Sequence, residues 1–175
     1  MEKVDPLIVE LLDSWPTIPA FVRSESLDVL ASNELARALS PSFEVGVNLA
    51  RFTFLDSLVQ DGSARGDDVS GHVVSFLRAL TQRDPDDRAI HSLVGELAAQ
   101  SDEFARTWAA DLRPANYQTP VIMRHPRVGD LELVFHQLTL PAAPSQLLVI
   151  VQVAPGSESE NAIFALAAEI DVDSE

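Results

Sequence analysis

The chain contains no cysteine among its 175 residues. Disulfides, thiolate metal sites and cysteine nucleophiles are therefore excluded, and we expect a protein of the reducing cytoplasm. Long apolar runs are absent as well: the run at residues 147–151, like every other in the sequence, is far below the roughly 20 residues that a membrane span needs. The N-terminal segment carries acids and lacks the basic region and long apolar run of a signal peptide, so we expect no membrane partner.

Basic residues are scarce, with 12 Lys and Arg against 27 Asp and Glu and a net charge of -15. Direct binding to DNA or RNA needs a clustered basic surface, which this composition opposes. It opposes docking on anionic lipid for the same reason. If the protein acts on DNA, a separate segment must hold the DNA.

Recognisable catalytic and cofactor motifs are also lacking. Residues 62–66 (GSARG) have the wrong spacing for a nucleophile elbow, and neither a G-x-G-x-x-G motif nor a P-loop is present. The aspartates of residues 84–87 fail the calcium-loop pattern and are better explained as helix caps. No close metal-ligand pair occurs among the histidines, which are His72, His91, His125 and His136. We therefore predict no enzymatic activity, no cofactor and no metal.

The apolar pattern that is present predicts one globular domain over residues 1–175. Strand patterns cover residues 20–22, 27–31, 120–125, 131–140 and 146–153, with turns between them at residues 23–26, 129–130 and 141–144. Both faces of the last strand are apolar, which places it centrally. Helical stripes occupy residues 4–12 and most of the chain between the second and third strands, and a further helix follows the last strand.

Helix starts are marked by short polar side chains, namely Asn33, Asn48, Asp67 or Asp68, the aspartates of residues 84–87, and Ser101. The resulting order is two strands, a block of helices, three strands and one helix. This order predicts an α+β fold in which a five-stranded antiparallel sheet packs against helices. Such a layout is PAS-like, with a pocket between the sheet and the intervening helices.

Several segments, in chain order, resemble the ligand-binding domain of MmyB-like transcription regulators, a family within the XRE-type helix-turn-helix proteins. They are LDVLASNELARAL (27–39), NLARFTF (48–54), LVGELAAQSDEFARTWA (93–109), HPRVGDLEL (125–133) and VAPGSESENAIFAL (153–166). The resemblance covers nearly the whole chain. It implies a PAS-like fold, a small hydrophobic effector such as a fatty acid, and a helix-turn-helix DNA-binding domain N-terminal to these 175 residues.

The resemblance also implies candidate ligand-binding residues, which are Asn48, Arg51, Phe52, Arg78, Phe104, Trp108 and His125. The aromatic residues would line an apolar cavity, although their spacing equally suits an ordinary core. Arg51, Arg78 or His125 would meet a carboxylate, and the competing interpretation gives an arginine an internal partner such as Glu103. His125 could instead mark a hairpin corner, and the alternative places His125 or Arg124 at a pocket mouth.

Our functional prediction is therefore an effector-sensing domain that controls an attached DNA-binding domain, and we expect a homodimer because such regulators read paired half-sites. The alternative is a stand-alone lipid-binding or interaction domain with no DNA-binding function. A third interpretation is an enzyme such as a small hydrolase, and no nucleophile–base pair in the sequence supports it.

Overall fold

Five strands form one antiparallel sheet in a computed structural model that describes residues 2–56, 69–110 and 120–173. The strands are β1 (Ala20–Ser24), β2 (Val29–Ser32), β3 (Val121–His125), β4 (Gly129–Leu140) and β5 (Ala143–Gln152), in the order β2-β1-β5-β4-β3. The sheet and its antiparallel pairing confirm the predicted α+β, PAS-like class. The central position of β5 agrees with its two apolar faces, since packed elements on both sides of the sheet must shield them from water.

The described residues also form seven α-helices. They are α1 (Pro6–Asp13), α2 (Glu34–Leu39), α3 (Leu49–Leu55), α4 (Val69–Arg83), α5 (Arg88–Gln100), α6 (Asp102–Ala109) and α7 (Glu158–Asp173). A single 3-10 turn, Pro41–Phe43, follows α2.

Four of the predicted caps are confirmed, because Asn33, Asn48, Asp87 and Ser101 accept backbone N–H groups at the starts of α2, α3, α5 and α6. The aspartates predicted to cap α4 lie outside the described residues. The first helix starts two residues later than predicted, since Asp5 caps it and Pro6 occupies its first turn.

All three predicted turns differ from those in the structure. The last, predicted at residues 141–144, is shortened to residues 141–142 because β5 begins at Ala143. Strand β1 runs on through Ser24 and β2 begins only at Val29, so the turn is centred on residues 25–28. Leu27 takes a φ of 72° there and points into the helical core rather than continuing a strand. Gly129, predicted as a turn residue, instead opens β4 opposite His125, and its φ of 83° is one that glycine tolerates.

The buried apolar residues form three clusters. The first lies between the inner face of the sheet and helices α2 and α7, and includes Phe21, Leu131 and Leu166. The second joins α3, α4, α5 and α6. The third covers the outer face of the sheet, where Leu12 of α1 packs with Val22 and Leu148. The first two clusters meet at Leu49, which packs against both.

Candidate ligand-binding site

A cavity of about 160 Å³ lies between the inner face of the sheet and helices α3 and α4. Strands β1, β3, β4 and β5 form one wall, α3 and α4 form another, and the 3-10 turn after α2 contributes to one end. The described residues that line it are Phe21, Arg23, Leu27, Ser40, Ser42, Phe43, Leu49, Phe52, Thr53, Val69, Ser70, His72, Val73, Phe76, Val121, Met123, Phe135, Gln137 and Val149. Most of these side chains are apolar.

Aromatic rings form much of the wall on the sheet side. Phe21 of β1 stacks on Phe43 with ring centroids 4.6 Å apart, and Phe43 meets Phe135 of β4 edge-on at 6.2 Å. Two further rings, Phe52 of α3 and Phe76 of α4, are half-buried at the cavity. Walls of this kind, with few polar groups, suit a largely apolar small molecule.

One cation lies in the wall. Arg23 of β1 is 2% exposed and lines the cavity. Its guanidinium donates to the backbone oxygen of Ser24 at 2.9 Å and to Oε1 of Gln137 at 2.6 Å, and it lies 4.2 Å from the ring centroid of Phe76. Arg23 was not among the predicted site residues, because the sequence pattern placed it in a turn. The available signal was its spacing of two from Phe21, which puts both on one face of a strand.

The candidate Arg51 points away from the cavity. It forms a bidentate pair with Glu96 of α5, with Nε–Oε1 and Nη2–Oε2 distances of 2.9 and 2.8 Å. These hydrogen bonds raise the pKa of Arg51 and hold the pKa of Glu96 below its ordinary value. Arg51 thus has an internal partner of the kind that the competing interpretation gave it, and Glu96 supplies it. Glu103, named as an example of such a partner, accepts from Ser70 at 2.9 Å.

Arg78, Phe104 and Trp108 lie together on α4 and α6. Phe104 is fully buried in the helical cluster, edge-on to Phe54 at 5.0 Å and stacked on Trp108 at 5.4 Å. Arg78 donates to the backbone oxygens of Trp108 and Ala110, and its guanidinium lies 5.5 Å from the Trp108 ring centroid. It thereby satisfies carbonyl groups at the end of α6, where a cation is also favoured by the helix dipole.

Asn48 is buried and satisfies four groups at once. Its Oδ1 accepts the N–H groups of Ala50 and Arg51, both at 3.1 Å, and its Nδ2 donates to the Ser26 oxygen at 2.8 Å and to Asp28 Oδ1 at 2.9 Å. These bonds tie the start of α3 to the β1–β2 turn. Asn48 therefore positions a wall of the cavity from outside it.

His125 is buried at the hairpin corner between β3 and β4. Its Nδ1 faces the N–H groups of Arg127 and Val128, both at 3.3 Å, so Nδ1 accepts and Nε2 donates to the Ala38 oxygen at 3.1 Å. It borders a second cavity of about 210 Å³ between α2 and this hairpin, which Arg124 also lines. The two cavities share Ser40 and Met123 in their walls.

Of the seven candidate residues, Phe52 lies in the wall of the cavity between the sheet and helices α3 and α4, and His125 borders the second cavity; ligand contact by any of the seven stays a prediction. The family model of the MmyB-like transcription regulator ligand binding domain matches residues 4–167. The chain belongs to this family. No curated protein sequence gives a significant match. An MmyB-like ligand-binding domain is a regulatory module, and the largely apolar cavity between the sheet and helices α3 and α4 is a candidate place for its ligand.

Two other kinds of site are absent from the parts of the chain that the structure describes. No group of three or more His, Asp or Glu side chains there is arranged to hold a metal ion. None of the described helices is both long enough and apolar enough to cross a membrane.

Proposed function

We propose that the domain senses a fatty acid or a similar largely apolar molecule in the cavity between the sheet and helices α3 and α4. The observation that carries this proposal is the cavity itself, with aromatic walls in a chain of a ligand-binding regulator family. The effector controls an attached DNA-binding domain, which supplies the basic surface that a domain of net charge -15 lacks. The regulator works in the cytoplasm as a homodimer that reads paired half-sites.

The size of the cavity suggests how binding is sensed. Its 160 Å³ is close to the roughly 150 Å³ of an engineered cavity that binds benzene. Dodecanoate has roughly twice as many heavy atoms as benzene, so we infer that α3 and α4 move away from the sheet to accommodate its chain. The ligand then binds the expanded arrangement better than the closed one, and this difference in affinity shifts the population between the two.

Binding of dodecanoate to the purified domain tests the proposal by calorimetry and by the shift in Tm. A blocking variant, Val73→Phe, fills the cavity from α4. Its matched control is Val94→Phe on α5, since both valines are half-buried and pack against the same helical cluster but only Val73 borders the cavity. We expect dodecanoate to bind the wild type and Val94→Phe and to lose affinity for Val73→Phe.

Hydrogen exchange separates a sensor from a passive carrier. If the domain is a sensor, bound dodecanoate should change the hydrogen-exchange rates of amides in α4, which lines the cavity. The exchange rates of amides in α1, on the opposite face of the sheet, should stay unchanged. The proposal is wrong if dodecanoate and longer fatty acids neither bind nor shift Tm, or if Val73→Phe binds them as well as the wild type does.

A further inference from the structure

The second cavity, between α2 and the β3–β4 hairpin, concentrates positive charge. Its volume is about 210 Å³, and three of the chain's 12 Lys and Arg residues line it, namely Arg37, Arg124 and Arg127. Among the described residues, its lining includes neither Asp nor Glu. Such a group of cations is the reverse of what a chain of net charge -15 would place together by chance. We propose that this cavity binds a small phosphate ester, at a site separate from that of the apolar ligand.

The three guanidinium groups approach the cavity from two sides. Arg37 is half-buried on the last turn of α2 and donates from Nη1 to the backbone oxygen of Ser32. A guanidinium carries further N–H donors in a planar fork that matches the oxygens of a phosphate. Arg124 and Arg127 lie on the hairpin side and are exposed, so a ligand can reach them from solvent. A phosphate group between α2 and the hairpin can therefore accept hydrogen bonds from both sides.

The ion pairs of the two hairpin arginines can be exchanged for a bound anion. Arg127 pairs with Glu169 of α7, and the two side chains are 56% and 50% exposed. Arg124 pairs with Asp130 at 3.0 Å, and both of these side chains are exposed as well. Exposed ion pairs contribute little to stability, and a phosphate ester carries more negative charge at neutral pH than a carboxylate does. A phosphate group can thus replace a carboxylate here at little cost.

The backbone oxygens at the end of α2 do not oppose an anion strongly. A helix C-terminus carries partial negative charge on its unpaired carbonyl groups, but α2 has only six residues. The Ala38 oxygen accepts from Nε2 of His125 at 3.1 Å, and the Ala36 oxygen accepts from the Ser40 N–H, also at 3.1 Å. These carbonyl groups are already paired, so the cations dominate the field inside the cavity.

The size and the remaining lining of the cavity favour an ester over a free phosphate ion. Apolar side chains form the rest of much of the wall, and they are Leu39, Pro41, Met123 and Pro126. The volume of about 210 Å³ exceeds the roughly 150 Å³ of an engineered cavity that binds benzene. It therefore has room for a phosphate group together with a body of a few carbon atoms.

Three probes test the proposal by calorimetry at pH 7.5 and constant ionic strength: glycerol 3-phosphate, inorganic phosphate and glycerol. We expect glycerol 3-phosphate to bind the wild type, inorganic phosphate to bind more weakly, and glycerol not to bind. Arg37→Met and Arg127→Met should each weaken the binding of glycerol 3-phosphate at least about tenfold, because each removes charge-assisted hydrogen bonds. Arg88→Met, which removes an exposed cation of α5 that lines neither cavity, is the matched control and should bind as the wild type does.

A further variant keeps all three arginines and makes the opposite prediction. Glu169→Gln removes the carboxylate that competes for Arg127, so it should tighten the binding of glycerol 3-phosphate severalfold. If the ion pair instead acts only to hold the hairpin against α7, its loss should weaken binding or leave it unchanged. Glu158→Gln, at an exposed position at the start of α7, changes the net charge equally and is the control.

Backbone amide shifts in nuclear magnetic resonance spectra locate the bound probe. The amides of Ser40 and Arg127 should shift on addition of glycerol 3-phosphate, and those of α1 should not. The proposal is overturned if glycerol 3-phosphate does not bind the wild type, if both arginine variants bind it as tightly as the wild type, or if Glu169→Gln does not tighten binding. Equal affinities for the ester and for inorganic phosphate would overturn the choice of an ester. None of the probes carries an acyl chain, so these results do not depend on whether dodecanoate binds.

Discussion

Replacing Phe104 and Phe52 one at a time separates residues that build the fold from residues that meet the ligand. Both were candidates for the cavity wall, and the structure gives them different surroundings. Phe104 is fully buried in the helical cluster between Phe54 and Trp108, whereas Phe52 is half-buried at the cavity. We expect Phe104→Ala to lower the stability of the fold strongly without altering the ligand site. Phe52→Ala should alter the ligand site and lower the stability only slightly.

The expected loss of unfolding free energy in each variant follows from how deeply the phenylalanine is buried. Truncating a fully buried phenylalanine to alanine costs about 3–5 kcal/mol, including the cavity it leaves and the lost ring contacts. For a chain of this length that corresponds to a fall in Tm of about 6–20 °C. The half-buried Phe52 has roughly half of its apolar area removed from water, so Phe52→Ala should cost about 1 kcal/mol.

The assay combines urea unfolding, followed by far-ultraviolet circular dichroism, with calorimetric binding of dodecanoate well below the Tm of each variant. Phe52→Ala should weaken binding, because an aromatic wall of the cavity is lost, and Phe104→Ala should bind as the wild type does. The reasoning is refuted if the two variants lose equal stability, or if Phe104→Ala stays stable and loses dodecanoate binding.

Two further predictions concern the elements around the cavity. Asn48→Ala should cost about 2–4 kcal/mol of unfolding free energy, because it removes a helix cap and two hydrogen bonds to half-buried acceptors. Asp87→Ala, which removes only the cap of α5, should cost about 1 kcal/mol, and equal urea midpoints for the two variants would contradict this. Glu96→Gln should lower the urea midpoint at pH 7, and its difference from the wild type should vanish in acid once the pH is below the folded pKa of Glu96. A carboxyl whose folded pKa is lowered by Arg51 stabilises the fold above its unfolded pKa and loses that effect as the pH falls through the folded pKa. Glu44→Gln, at an exposed site, is the control, and a difference that persists at low pH would argue against the ion pair as its cause.

Local patterns were sufficient to predict the fold class. Asn33, Asn48 and Ser101 each precede an apolar stripe of helical period, and the alternation in residues 146–153 marks a buried strand. These signals depend on neighbours within a few residues, so they can be read from the chain alone. The turn around Leu27 could not be predicted in this way. Its backbone conformation depends on the burial of the Leu27 side chain among helices that are distant in sequence.

The site was harder to predict because its contacts join distant segments. Periodicity shows that Phe52 and Phe104 each lie on the apolar face of a helix, but it does not show which cluster that face enters. Glu96 is 45 positions from Arg51 and Gln137 is 114 from Arg23, so neither partner has a local signal. Arg23 itself was missed through an error of two residues at the end of one strand, which moved it from a wall to a turn.

The position of the cavity between two packed cores determines how occupancy can be transmitted. Phe21, Phe43 and Val149 belong to the cluster on the sheet, whereas Leu27, Val73 and Phe76 belong to or pack against the helical cluster. Each cluster is closely packed within itself, as the contacts of Phe104 with Phe54 and Trp108 show. Closely packed clusters move as rigid bodies more readily than they deform. The acyl chain of a ligand inserted between the two clusters therefore separates them and leaves the packing within each cluster unchanged. Under the proposed function, helices α3 to α6 would then move together when a ligand binds, and this movement is the signal that a DNA-binding domain joined to the sensor would detect.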